Sequence, residues 1–118
     1  MAGKPDETVI YHNPRCSTSR KTLDLLRDNG FEPTVVEYLK TPPSRSELVK
    51  MIRAAGIDVR TAIRKRESLY DELDLANATD DQLLDAMVEH PILIERPFVV
   101  TPKGTRLARP IDAVREIL

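Results

Sequence analysis

The sequence predicts an α/β fold with a mixed four-stranded sheet flanked by helices, and three observations support this. Between residues 8 and 39 a strand, a helix and a second strand follow one another, as in a parallel βαβ unit. Residues 98–109 contain two short strand-like runs around a tight turn, and a helix follows them. The stretch between is helical in pattern, which predicts a helical insertion between the βαβ and ββα parts.

The first three elements are bounded by clear signals. Residues 8–11 are β-branched and aromatic, which is typical of a strand. Pro14 has no N–H to donate to a neighbouring strand, so the strand should end before it. Residues 17–29 have helical spacing, and Gly30 follows as a stop. Residues 34–39 are mostly apolar, which predicts a second strand buried in a parallel pair.

Four helices are predicted in the insertion. Two of them begin at capping boxes, in which a hydroxyl and a side chain three residues later close the first turn. These boxes are Ser44 with Glu47 and Thr79 with Gln82. The other two helices are short and cover residues 57–64 and 70–75.

The C-terminal part predicts a hairpin and a closing helix. Residues 98–100 form the third strand, and residues 102–104 suit a tight turn into a fourth strand at 105–109. Pro110 is favoured at the first position of the closing helix, which has one apolar face.

The overall composition predicts one domain over residues 8–118, after a disordered N-terminal arm at residues 1–7. The chain has 118 residues, is 41% hydrophobic and 31% charged, and has a net charge of −1. No segment has the length of a membrane span, and none is uniformly basic. We therefore expect a monomer that binds neither membranes nor nucleic acids.

The chain contains a single cysteine, Cys16. It therefore has neither an internal disulfide nor a cysteine cluster for a metal, and we expect no metal site. A lone thiol also indicates a reducing compartment, the cytoplasm.

Cys16 lies where the first strand gives way to the first helix. Free N–H groups and the helix dipole at such a point lower a thiol pKa from about 8.5 into a range of about 3.5 to 7.5. The same N–H groups can bind an oxyanion at this loop. His12, Ser19 and Arg20 add further hydrogen-bond donors or positive charge there. A lone cysteine is often a small buried hydrophobe, but this polar setting favours a reactive thiol.

The spacing around Cys16 excludes two kinds of chemistry. Cys16 and Arg20 form a C-x3-R motif, which is shorter than the C-x5-R loop of cysteine phosphatases. Ser19 occupies the second position of a C-x-x-C pair, so a dithiol cycle is impossible here. Any oxidised intermediate on Cys16 must be resolved by an outside thiol.

Five motifs follow one another along the chain: HNPRCSTSR at 12–20, YLKTPP at 38–43, AIRK at 62–65, HPILIERP at 90–97 and TPKGTRLARP at 101–110. In this order they resemble the glutaredoxin-coupled arsenate reductases. The resemblance extends over nearly the whole chain. It implies a thioredoxin-like fold with a helical insertion and a cis-proline at Pro97.

The resemblance also implies a mechanism. Cys16 would be the nucleophile on arsenate, Arg64, Arg96 and Arg109 would bind the oxyanion, and His12 would tune the cysteine. Glutathione would be the co-substrate, glutaredoxin would complete the reduction to arsenite, and no cofactor would be bound. Arginine forks suit a tetrahedral oxyanion, and one cysteine cannot supply the two electrons needed.

Several alternatives remain open at this point. Regulators of the Spx type share the architecture, although they typically use C-x-x-C, which Ser19 removes. A glutathione-dependent thiol transferase would need the same low-pKa thiol and arginines, and a relative with weak arsenate activity would look alike. Each arginine could be a solvated or structural charge, and His12 could simply support the loop backbone.

Overall fold

The computed structural model describes residues 8–118, so the predicted arm at 1–7 lies outside the described residues. The chain divides into two compact units. The sheet unit comprises the chain up to Thr41 together with Arg96–Leu118, and the helical unit comprises Pro42–Glu95. The two units are treated separately below.

The sheet unit contains a mixed four-stranded sheet, as predicted. Its strands are β1 (Val9–His12), β2 (Thr34–Glu37), β3 (Phe98–Thr101) and β4 (Gly104–Leu107). Their order is β2-β1-β3-β4, with β1 parallel to β2 and β3 antiparallel to both β1 and β4. This order confirms the βαβ unit and the hairpin, and places β1 at the centre.

Helix α1 (Ser17–Asp28) connects β1 to β2 and ends at the predicted glycine. Gly30 has φ 84°, a conformation that side chains disfavour. Its N–H donates to the Arg27 carbonyl, and the N–H of Phe31 donates to the Leu26 carbonyl, both at 3.0 Å. These two bonds form a Schellman motif, which fixes the direction in which the chain leaves the helix.

The closing segment is a 3₁₀ helix over Ile111–Ile117 rather than an α-helix. Its apolar residues Ile111, Val114 and Ile117 are three apart, which matches the 3₁₀ period. Val114 and Ile117 are buried in one core with Ile10 and Leu26. This core fixes β1 and α1 together, and the loop between them contains Cys16.

The prediction of a buried second strand was wrong, because no residue of β2 is buried. Thr34 and Val35 are exposed, because β2 is an edge strand of the sheet. The strand also ends at Glu37, where a turn begins with the Lys40 N–H donating to the Glu37 carbonyl at 2.9 Å. Tyr38 lies in this turn and is buried.

The helical unit contains four α-helices: α2 (Arg45–Ala54), α3 (Val59–Ala62), α4 (Ser68–Glu72) and α5 (Asp80–Glu89). Both predicted capping boxes are present, at the starts of α2 and α5. Short 3₁₀ turns occur at Leu75–Asn77 and Pro91–Leu93. Among the described residues, no helix combines the length and the apolar character that crossing a bilayer requires.

Candidate active site

Cys16 is the N-cap residue of α1, in an extended conformation (φ −90°, ψ 123°), and its side chain is partly exposed. Its own N–H donates to the Asn13 carbonyl at 3.0 Å, and the Asn13 side-chain oxygen accepts from the Arg15 N–H at 3.0 Å. Asn13 therefore accepts two hydrogen bonds within the loop, one at its backbone carbonyl and one at its side-chain oxygen. As a result, the thiol faces the free N–H groups at the start of the helix.

The buried side chains of His12 and Ser19 make hydrogen bonds within this loop. The Ser19 hydroxyl accepts from the Asn13 N–H at 3.1 Å and lies 3.0 Å from His12 Nδ1. Because that hydroxyl oxygen already accepts one bond, its own hydrogen is available to donate to Nδ1. The Ser19 side chain is fully buried, so its hydroxyl is engaged within the loop rather than presented to solvent.

The environment of His12 disfavours the protonated form of its ring. Burial of the ring lowers the pKa of His12 below its usual value, and the charges of Arg27 and Arg20 lower it further, against an opposing effect of Glu37. A neutral imidazole adds no positive charge beside the thiol. Its structural contribution is therefore the bond to Ser19.

Two arginines from distant parts of the sequence reach Cys16. Arg109 Nη2 lies 3.6 Å from the sulfur, and Arg109 Nε donates to the Arg96 carbonyl at 2.9 Å. The Arg96 side chain is buried and also hydrogen-bonds the thiol. The bond from Arg96 to Pro97 is cis, as the resemblance implied, and the bond from Arg109 to Pro110 is cis as well.

The balance of these effects favours the thiolate. Burial raises the pKa of Cys16, but the Ser19 N–H, the Arg96 guanidinium and the Thr18 N–H outweigh it, so the pKa is below its ordinary value. The direction agrees with the sequence-based expectation. N–H groups of the first turn of α1 and the Arg96 guanidinium both lower the pKa of Cys16.

We predict that this shift couples folding stability to pH. Because the folded pKa of Cys16 is lower than the unfolded pKa of about 8.5, the unfolded chain binds more protons between the two values. The thiolate's contribution to the free energy of unfolding is complete above the pKa of Cys16 in the unfolded chain. It is lost as the pH falls through the pKa of Cys16 in the folded protein. Urea unfolding across this range measures it, and alkylation rates against pH measure the folded pKa.

The control for this prediction is Cys16→Ser, which has no group that titrates in this range. We expect the variant to lose this part of the pH dependence. An alkylation midpoint near 8.5 in the wild-type protein would contradict a stabilised thiolate.

Arg20 lies on the outer side of the loop. Its Nη1 donates to the Pro14 carbonyl at 2.8 Å, and the side chain is exposed. Arg20, Lys21, Ser17 and His12 are among the residues that line an open cavity of about 410 Å³. The cavity places the cationic side chains of Arg20 and Lys21, together with Asp24 and apolar residues, beside the start of α1.

Arg64 belongs to the helical unit. Its Nε lies 3.5 Å from Glu67, and its Nη1 lies 3.7 Å from the buried Glu95. The Arg64 N–H donates to the Leu93 carbonyl at 2.7 Å, and the Glu95 N–H donates to the Ala62 carbonyl at 2.8 Å. Two carboxylates thus hold the guanidinium, and its predicted role in oxyanion binding rests on the resemblance.

Within residues 8–118, no group of three histidine, cysteine or carboxylate side chains is placed to hold a metal ion. The site is therefore described by one thiol, the N–H groups of α1 and the arginines. This donor set is suited to an anion.

The sequence model of the ArsC family matches residues 11–117. The chain belongs to this family. Its relatives include proteins named arsenate reductase from Rhizobium meliloti (strain 1021), 61% identical, and from Escherichia coli (strain K12), 59% identical. Both alignments cover 93% of this chain, with 80% of the first relative and 79% of the second.

Solved structures agree with the family assignment. An arsenate reductase from Vibrio cholerae superposes with a TM-score of 0.89 at 49% identity, over 94% of this chain and 97% of that one. The fold is therefore the thioredoxin-like fold of the ArsC family, with the mixed four-stranded sheet and flanking helices that the sequence predicted.

Sequence reasoning missed two residues of the site. The sequence places Asn13 in the break after the first strand and Tyr38 in the predicted second strand, and both belong to the quoted motifs, but it predicts no role for either at the thiol. The available signal was their place directly after two parallel strands, since the carboxyl ends of such strands meet at one edge of a sheet.

Proposed function

We propose that this protein reduces arsenate to arsenite through the Cys16 thiolate. The observation that supports this best is the pair of guanidinium groups at the sulfur, with Arg109 Nη2 at 3.6 Å and Arg96 hydrogen-bonded to it. Two cations next to a thiolate suit a nucleophile whose substrate is an oxyanion. The relatives named arsenate reductase, at about 60% identity, support the same substrate.

In the first step the thiolate attacks arsenic, an As–S bond forms, and one arsenate oxygen takes up protons and leaves as water. The guanidinium groups of Arg96 and Arg109 neutralise charge on the remaining oxygens. Free N–H groups at the start of α1 add fixed donors at the same place.

Outside thiols complete the reaction. Arsenic must gain two electrons, and Cys16 is the chain's only cysteine. Over one cycle two thiols lose two electrons and two protons and join in one disulfide, arsenite and water are released, and Cys16 returns as the thiolate. We propose glutathione and glutaredoxin as these donors, in the cytoplasm, where thiols are kept reduced.

The other predicted residues have supporting roles in this proposal. His12 holds the Ser19 hydroxyl at 3.0 Å, and the Ser19 N–H faces the thiolate. Arg20 gives the entrance of the site positive charge. Arg64 is proposed as a further oxyanion ligand on the strength of the family resemblance.

A coupled assay tests the proposal directly. Purified protein, arsenate, glutathione, glutaredoxin and glutathione reductase should oxidise NADPH, and we expect no turnover when arsenate, glutathione or glutaredoxin is left out. The control reaction omits glutaredoxin, which itself reduces glutathione mixed disulfides, and replaces arsenate with a glutathionylated peptide. Turnover with that peptide and none with arsenate would overturn the proposal in favour of a thiol transferase.

A further inference from the structure

Three polar residues lie side by side at one end of the sheet. His12 pairs with Glu37 in the parallel register, so Asn13 and Tyr38 are the first residues after β1 and β2. On the other side of β1, Phe98 pairs with Tyr11, so Arg96 lies two residues beyond that pair, next to Asn13. Tyr38, Asn13 and Arg96 therefore lie in a row, called the polar row below, next to the loop that contains Cys16.

The polar row contains an unusual concentration of buried polar atoms without hydrogen bonds. Within residues 8–118, no atom meets hydrogen-bond geometry with the Tyr38 hydroxyl or with Arg96 Nε and Nη1, although Asn13 and Arg96 lie near enough to the phenol to lower its pKa. Tyr38 is 1% exposed and Arg96 is 8% exposed, so both groups are removed from bulk solvent. Such groups are rare in folded proteins, and each one calls for an explanation.

The donors and acceptors in the polar row complement one another. A guanidinium has only donors, and the Asn13 side-chain oxygen already accepts from the Arg15 N–H at 3.0 Å. The phenol oxygen of Tyr38 lies near Arg96 and is an acceptor that the polar row can offer to its guanidinium. Burial raises the pKa of Tyr38 despite the nearby Arg96 and Asn13, so the phenol remains protonated and neutral.

We propose that Tyr38 is a positioning residue for Arg96. Its phenol oxygen accepts a hydrogen bond from the unpartnered edge of the guanidinium when the thiolate forms, and this holds Arg96 in the orientation that donates to Cys16. The role concerns the thiolate itself. It deepens the proposed function, but it can be tested without arsenate.

The test is Tyr38→Phe, which removes one oxygen and keeps the ring. We expect the Cys16 pKa, measured from alkylation rates against pH, to rise by up to about one unit, the size of effect that one hydrogen bond supports. The matched control is Tyr70→Phe in the helical unit. Tyr70 is also buried, and its hydroxyl accepts from Arg60 Nη1 at 3.1 Å. This control should leave the thiol pKa unchanged.

Urea unfolding of both variants separates positioning from a purely structural role. A structural role alone would lower stability without moving the thiol pKa, and an unchanged pKa in Tyr38→Phe overturns the proposal. In an Arg96→Ala background, Tyr38→Phe should cause no further shift. A second shift of full size there would show that Tyr38 does not act through Arg96.

A further measurement applies if Tyr38→Phe does not fold. Wild-type protein is labelled with 3-fluorotyrosine, and its fluorine resonances are followed as Cys16 titrates. The Tyr38 resonance should move with the thiol pKa, and the Tyr70 resonance should not. A Tyr38 resonance that ignores the Cys16 titration would overturn the proposal. Because arsenate is absent, failure here is distinct from failure of the proposed reduction.

Discussion

Replacement of Cys16 by serine is expected to abolish arsenate reduction in the coupled assay, with a loss on the order of 10⁴-fold or more, as when other catalytic nucleophiles are removed. The reason is the reaction itself, which needs an As–S bond, and the chain has no other sulfur nucleophile. A serine hydroxyl at this position is neither ionised at neutral pH nor oxidisable by arsenic. The loss should therefore appear in kcat.

The position of Cys16 as a helix N-cap indicates that this variant should fold, so that a loss of activity reports on the missing thiol. Cys16 makes no side-chain capping bond, and serine is a favoured N-cap residue, so Cys16→Ser should preserve α1 and lose only the stability that the thiolate contributes. Cys16→Ala should lose reduction to the same extent. Arsenate reduction that survives in either variant would contradict the proposed mechanism.

Local signals predicted the loop and its reactive residue. The strand before Pro14, the helix from Ser17 and the stop at Gly30 can each be identified within a few residues of sequence, and the structure has all three. A thiol at the start of a helix follows from these boundaries alone. The same holds for the capping boxes, in which both partners lie within one turn.

Contacts between distant residues could not be predicted in this way. Arg109 reaches a sulfur 93 positions away, and that contact depends on the antiparallel register of β3 and β4. The exposure of Val35 depends on β2 being an edge strand, which only the strand order reveals. The buried hydroxyl of Tyr38 needed both the register and the turn after Glu37.

Arg96→Ala and Arg109→Ala are each expected to lower kcat/KM for arsenate by about ten- to one-hundred-fold. This range corresponds to about 1.5 to 3 kcal/mol, the value of one hydrogen bond to a charged group. The Cys16 pKa should also rise when Arg96 is removed, since that guanidinium helps to hold it down. Alkylation against pH measures this second effect independently of arsenate.

Arg106→Ala is the matched control because Arg106 lies on β4, close in sequence to Arg109. Its Nε is 2.8 Å from Glu116, and its Nη1 donates to the Thr105 carbonyl at 2.8 Å. We expect this variant to retain both kcat/KM and the thiol pKa. Arg109→Lys keeps the charge but loses the fork that reaches the sulfur and the Arg96 carbonyl together, so it should resemble alanine more than wild type.

Stability measurements decide what these arginines do. If they act on the thiolate and the oxyanion, kcat/KM should fall by more than the free energy of unfolding accounts for, and Arg96→Ala should move the thiol pKa. If Arg96→Ala and Arg109→Ala instead lose stability with unchanged kcat/KM and unchanged thiol pKa, the two guanidinium groups are structural. Cys16 would then depend on the N–H groups of α1 alone, and the argument that links this site to an oxyanion substrate would fail.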